Sequence, residues 1–304
     1  MPGDVNIFDR DLVAWRRNRA AETLPLHDFL LARAADDLMD RLQVVRRTFP
    51  VVLDLGAHHG LLARRVRELP GTETVIAMER AERLLRQCPA PQLLADEELV
   101  PIRDGAVDLV VSALALQFVN DLPGTLVQVH RALKPDGLFL AALLGGRTLF
   151  ELAQSFLLAE AEVEGGTSPR VAPFADVREL GALLQRARFA LPVADVDTVT
   201  VTYADPLALM RDLRAMGATN MLAARRRRPL RRATLQRAIE TYVRRFGSAD
   251  GRIPATFEIV TLTGWTPHES QPKALAPGSA RQRLADALRT TERPTGDTTP
   301  NRKR

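Results

Sequence analysis

The chain has 304 residues, 46% of them apolar and 26% charged, a balance that supports a globular core in water. No stretch approaches the roughly 18 uninterrupted apolar residues of a membrane-spanning helix. A single cysteine, Cys88, excludes a disulfide framework and a thiolate zinc site, and the net charge of +5, carried almost wholly by arginine, permits acidic partners without naming one.

The N-terminus, MPGDVNIFDRDLVAWRRNRA, is arginine-rich like a targeting peptide, but Asp4, Asp9 and Asp11 argue against one, because such peptides avoid acids. A cytoplasmic location is the expectation. Apolar residues then recur at helical spacing (Leu30, Leu31, Ala34, Leu38, Leu42, Val45), so residues 1–48 read as an N-terminal helical segment.

From residue 49 short apolar runs alternate with amphipathic stretches. VVLDL (51–55), ETVIAME (73–79), PQLLAD (91–96), VDLVVSAL (107–114) and GLFLAALL (137–144) read as strands. LLARRVREL (61–69), AERLLRQ and LPGTLVQVHRALK (122–134) read as helices between them, and Lys134-Pro135-Asp136-Gly137 as a turn. Nearly all-apolar strands alternating with helices indicate a parallel sheet covered on both faces.

The pattern changes after residue 145. Helices are expected over 147–164, 176–189, 206–217 and 230–246, and strands over 194–203 and 255–265. The two late strands predict an antiparallel pair at one sheet edge. Residues 49–265 would then form one α/β domain, with helical insertions at about 147–173 and 205–250 lying over the site. Residues 271–304, rich in proline, threonine and basic charge, read as a disordered tail.

Ligands of open α/β sheets sit beyond the carboxyl ends of the strands. Asp54, Glu79 and Asp96 fall at the ends of the first three, and Glu79 follows Gly60 at the spacing that lets an acid accept from ribose hydroxyls. In VVLDLGAHHG, His58 and Leu61 stand where a dinucleotide fingerprint needs glycine, and no Gly-Lys-Ser/Thr loop occurs. A loop without close-approach glycines suits a nucleoside that carries no phosphates, such as S-adenosylmethionine. The bland alternative is an unrelated α/β protein with chance acids at its strand ends.

LDLG, the acid at 79, LLADEELVPIRDGAVDLVVSALALQFVNDLP and HRALKPDGLF resemble the class I S-adenosylmethionine-dependent methyltransferases. NIFDRDL, GGRTLFEL, AEAEVEGGTSPRVAPF, MGATN, ATFEI and GWTPHESQ resemble a narrower group, the bacterial relatives of NADH:ubiquinone oxidoreductase (complex I) assembly factor 5. The resemblance runs from Asn6 to about Ser279. It implies the Rossmann-like seven-stranded methyltransferase sheet and S-adenosylmethionine held by Asp54, Gly56, Gly60, Glu79 and Asp96. It also implies a role in maturing complex I, and for the mitochondrial members hydroxylation of an arginine on a complex I subunit. His58 departs from the glycine of the wider class and is expected to cap or line the cofactor's tail.

No histidine pair has ligand spacing, so no metal site is expected. Glu160 and Glu164, one turn apart at a helix C-terminus, oppose the helix dipole and are candidates for docking an arginine-bearing substrate, against a solvated helix end. Gln117 and Asn120 follow the fourth strand and are the candidates to face the reacting group, while Asp121 reads as a helix cap. His268, in the WTPHES segment, is a candidate to cover the substrate opening. RRRRPLRR (225–232) could meet an anionic membrane face or RNA, or be a solvated helix start; without interleaved aromatics nucleic acid is disfavoured.

The expected function is modification of a protein substrate, a complex I subunit, with peripheral contact at the inner membrane through the basic segment. The rival readings are O-methylation of an acyl carrier protein or a small molecule, and a non-catalytic assembly chaperone.

Overall fold

The computed structural model describes residues 6–272 and 284–291, in two compact units, Met1–His268 and Glu269–Arg304. In the second unit a short helix spans Leu284–Ala287; most of the tail expected to be disordered lies outside the described residues.

The first unit is built on one seven-stranded sheet: β1 (Val51–Leu55), β2 (Thr74–Glu79), β3 (Gln92–Leu94), β4 (Val107–Ala113), β5 (Leu133–Leu144), β6 (Ala190–Tyr203) and β7 (Ile253–Trp265), in the order β3-β2-β1-β4-β5-β7-β6. The first five strands are parallel, with Val51 beside Thr74 and Val52 beside Leu109, and β7 runs antiparallel between β5 and β6. The order reverses at β1, so a crevice opens beyond the carboxyl ends of β1 and β4.

The strands alternate their side chains between two buried layers, as a sheet covered on both faces requires. On one face Val52, Leu109, Val111, Leu138 and Phe257 meet α2 (Phe29–Gln43), α3 (Leu61–Val66), α6 (Phe150–Glu164), α8 (Pro206–Ala215) and α9 (Arg232–Phe246). On the other, Leu53, Leu55, Val110 and Phe139 meet α5 (Leu122–Ala132) and α7 (Val177–Arg186). Asp121 caps α5 by accepting from the Gly124 N–H. A four-residue helix, α4 (Glu82–Leu85), follows β2.

Two details that hydrophobic spacing does not reveal have clear causes. The Lys134–Gly137 turn is absorbed into β5 as an irregularity: pairing with β4 passes from Val107–Leu133 directly to Leu109–Leu138, with Asp136 at φ +64°. The N-terminal segment contains a helix, α1 (Arg10–Ala20), that hydrophobic spacing does not reveal, because its buried face is Val13, Arg17 and Ala20. Asp9 caps it by accepting from the Leu12 N–H, and the chain before it bonds to the loop after α8 through Asp9 N to Met221 O and Ala223 N to Ile7 O.

Candidate functional site

The loop after β1 shows why glycine belongs in it. Gly56 has φ +76°, and a Cβ there would lie 2.2 Å from the Cβ of Ala115. Gly60, at φ +79°, lies against Cys88. His58 also has a left-handed backbone, φ +50°, which explains the glycine common at this position in the wider class. Its backbone N–H donates to Glu79 at 3.1 Å, and its ring Nε2 lies 3.0 Å from the carbonyl of Ala113, a contact that requires the proton on Nε2. Burial first, and the charge of Arg17 second, hold this imidazole well below its usual pKa, so it is neutral. His59 turns the other way and meets Asp28 at 3.2 Å.

Glu79, Asp96 and Glu97 gather at the ends of β2 and β3, and α1 supplies their counter-charges. Arg17 donates to both oxygens of Glu79, at 3.3 and 3.2 Å, and to Glu97 at 3.4 Å. Arg10 donates to Asp96 at 2.6 Å, to Glu97, and to the carbonyl of Phe118 at 3.0 Å. Asp96 is raised by burial, but the Glu98 N–H, Arg10 and Arg80 outweigh that and lower it. Glu97, fully buried beside Glu79, is raised. Asp54 is 1% exposed; neither of its oxygens has a hydrogen bond of normal geometry, although the Ala63 N–H stands nearby. Burial, helped by Glu79, pushes it up to about 7.

Beside these residues lies a cavity of ≈ 370 Å³. His58, Leu114 and Gln117 form its wall toward the cofactor loop, and Leu149, Phe156, Met210 and Leu230, from the two insertions, are among the residues opposite. Gln117 is 9% exposed; its Nε2 donates to the carbonyl of Leu114 at 2.8 Å, which fixes the amide's orientation, and its Oε1 has no partner.

The other candidates are placed differently. Asn120 does not face the cavity: its Oδ1 accepts from the Phe8 N–H at 2.8 Å and its Nδ2 donates to the Phe8 carbonyl, so it fastens the N-terminal segment. Glu160, 1% exposed, accepts from the Ser168 N–H at 2.7 Å and from Arg170 Nε at 2.7 Å. Glu164 takes Thr234 and Arg226. The acids that oppose the dipole of α6 are therefore neutralised inside the chain, and the expected docking pair is corrected to a structural one. His268 lies 3.9 Å from Asp136, and Thr266 bonds Gly137, at the start of β5 and thus at the sheet end opposite the crevice. It does not cover the opening. Arg10 and Arg17 are what sequence reasoning missed; a basic residue at the i and i+7 positions of a short helix before two acid-bearing strand ends was the available signal.

The chemistry of the donor set fits S-adenosylmethionine. Acids stand at the ends of β2 and β3, Asp54 has unused acceptors, and Gly56 and Gly60 supply the left-handed turn that follows β1. The fit has one condition: Arg17 now uses the acceptor capacity of Glu79. Among the described residues no group of three or more His, Cys, Asp or Glu could hold a metal ion, and no helix is long and apolar enough to cross a membrane.

A methyltransferase-domain family model matches residues 53–141. The chain is 41% identical to the human protein named arginine-hydroxylase NDUFAF5, mitochondrial, over 92% of this chain and 82% of that one. The zebrafish (Danio rerio) protein of that name is 39% identical over 93% and 89%. A malonyl-[acyl-carrier protein] O-methyltransferase of Laribacter hongkongensis is 37% identical over 85% and 90%. Among solved structures, the YcgJ protein of Bacillus subtilis shares the fold, with a TM-score of 0.54 at 15% identity over 77% of this chain and 98% of that one.

Proposed function

The chain belongs to the class I S-adenosylmethionine-dependent methyltransferases, in the branch that includes the NDUFAF5 arginine-hydroxylases, and from that premise we propose that it modifies an arginine of a protein partner, a respiratory complex I subunit, during assembly. S-adenosylmethionine is the cofactor. The observation that carries the substrate reading is the Gln117 Oε1, buried, unpartnered and on the wall of a cavity next to the cofactor loop. An unmet acceptor in such a place costs about 1–3 kcal/mol, which a donor-rich group such as a guanidinium would recover on entering. The leucine, methionine and phenylalanine walls suit the methylene stem of the same side chain.

In this reading Glu79 would hold the ribose hydroxyls, Asp96 would meet the adenine end, and Gly56, Gly60 and Asp54 would hold the cofactor's tail. His58, neutral and tied to Ala113, shapes the wall between cofactor and substrate rather than moving a proton. When bound, the cofactor supplies an electrophilic methyl group on a sulfonium.

Peptide mass spectrometry of complex I subunits from cells with and without this gene tests the proposal. An arginine peptide lighter by one oxygen without the gene supports hydroxylation, and one lighter by a methylene supports methylation. Unchanged arginine peptides sink the arginine reading. A second reading, O-methylation of an acyl carrier protein, is favoured by the apolar lining of the cavity together with the Laribacter relative. It predicts a methyl ester on the carrier and no change in complex I.

A further inference from the structure

Arg214 is exposed and also stands on the cavity wall, which marks where the cavity meets the surface. The loop after it packs directly on α1: a Cβ on Gly217 would lie 3.1 Å from the Cβ of Ala20 and 3.2 Å from the carbonyl of Arg16. Arg16 in turn donates to the carbonyl of Asn220, another cavity residue. Around it stand Arg225, Arg19 and Arg214, whose charges add to burial in pushing the Arg16 guanidinium below its ordinary pKa. Arg19 lies over the ring of Trp15, 5.6 Å from its centroid, and Trp15 is 56% exposed.

Asp9 stands within this group: it pairs with Arg225 at 3.0 Å, and the Leu12 N–H, Arg225 and Arg227 lower its pKa. No carboxylate among the described residues pairs with Arg16, Arg19, Arg214 or Arg227. Like charges crowded together and partly buried weaken a fold, and a local rule broken at the rim of a cavity points to recognition. The other two arginines that line the cavity are matched, Arg17 by Glu79 and Arg170 by Glu160, whereas Arg214 is not.

We propose that these arginines form a collar that docks an acidic face of the protein whose side chain enters the cavity. The inference rests on the protein-substrate reading above and adds the chemistry of the surface around the target. Guanidinium forks pair bidentately with carboxylates, and a cationic rim raises the encounter rate with an anionic partner. A lipid surface would cover the opening that the substrate must use. Single-stranded nucleic acid would call for several stacking platforms, where this rim offers Trp15.

The test is fluorescence anisotropy of a labelled glutamate oligomer titrated with the full chain and with the Arg19→Glu/Arg214→Glu/Arg227→Glu variant, whose three sites lie outside the cofactor residues. Phosphatidylglycerol vesicles and poly(U) serve as competitors. The expected result is binding that weakens steeply with salt, falls at least tenfold in the variant, and survives both competitors at equal charge concentration. Equal affinity in wild type and variant overturns the collar, as does tighter binding of vesicles or poly(U). Thermal melting of the variant, expected no lower than wild type because like charges are relieved, and S-adenosylmethionine titration, expected unchanged, separate loss of docking from loss of fold. In cells the same variant should reduce the complex I arginine modification at least tenfold. If deleting the gene changes no complex I arginine at all, the function reading fails while the oligomer result still judges the collar.

Discussion

Arg17, on a helix 62 residues earlier in the chain, donates to both carboxylate oxygens of Glu79. The same oxygens accept from the Ala81 N–H at 2.9 Å and the His58 N–H at 3.1 Å. A carboxylate has about four lone-pair directions, so Glu79 is saturated. Ribose hydroxyls can use it only when Arg17 lets go. Saturating S-adenosylmethionine should therefore change hydrogen exchange across α1, with its amides less protected or differently protected than without cofactor. Unchanged exchange in α1, in a protein shown by calorimetry to bind, would mean that the ribose does not use Glu79.

Replacing Arg17 by methionine keeps much of the volume and removes the charge. Glu79 is 0% and Glu97 1% exposed, so Glu79 loses its counter-ion and Glu97 loses one of two, keeping Arg10. Breaking a buried pair from one side costs about 3–5 kcal/mol. The variant should melt well below wild type by calorimetry, and a melting temperature within a degree or two of wild type would show that Arg17 is not the counter-ion drawn here.

Gly56→Ala should be more damaging than its size suggests. The new Cβ meets that of Ala115 at 2.2 Å and the backbone sits at φ +76°. Left-handed strain costs about 1–2 kcal/mol and overpacking about 1–3 kcal/mol more. Chemical denaturation should show a loss within the sum of these ranges, and calorimetry a loss of S-adenosylmethionine binding. Wild-type stability would mean that the loop repacks freely.

The sheet was legible because nearly every strand is an apolar run bounded by turns, and the antiparallel edge pair followed from two long strands arriving after five parallel ones. The glycines and strand-end acids were legible because backbone conformation and strand ends are local properties. What sequence concealed is how distant charges pair. Glu160 and Glu164 look like free acids at a helix end, yet Arg170, Ser168, Thr234 and Arg226 reach them across loops whose course no spacing rule gives. Likewise Asn120 is a plausible neighbour of the reacting group until Phe8, 112 residues away, takes both ends of its amide.

That correction is itself testable. Glu160→Gln keeps a partner for Ser168 but leaves Arg170, 17% exposed, without its carboxylate. The expected loss is about 1–3 kcal/mol in denaturant unfolding, as for a charged hydrogen-bonded group stripped of its partner. At a temperature where both proteins are folded, S-adenosylmethionine affinity and substrate KM should match wild type. A raised KM with unchanged stability would restore the docking role.

Asp54 sets a pH dependence whose sign is opposite to the usual carboxylate case. Its pKa is raised from 3.8 to about 7, first by burial and then by Glu79, so the native state holds a proton that the unfolded chain releases. Stability from this group is fully present below about pH 4 and is lost as pH rises toward 7. Glu97, raised for the same reasons, adds to the same trend. Asp54→Asn removes the titrating proton while keeping the shape. Denaturant unfolding at steps between pH 4 and 7.5 should show wild-type stability declining, by roughly 4 kcal/mol at most from this group. In the variant the decline should be shallower, leaving the part due to Glu97. Parallel curves for the two proteins would mean that Asp54 is ionised in the native state, with a donor such as the Ala63 N–H satisfying it.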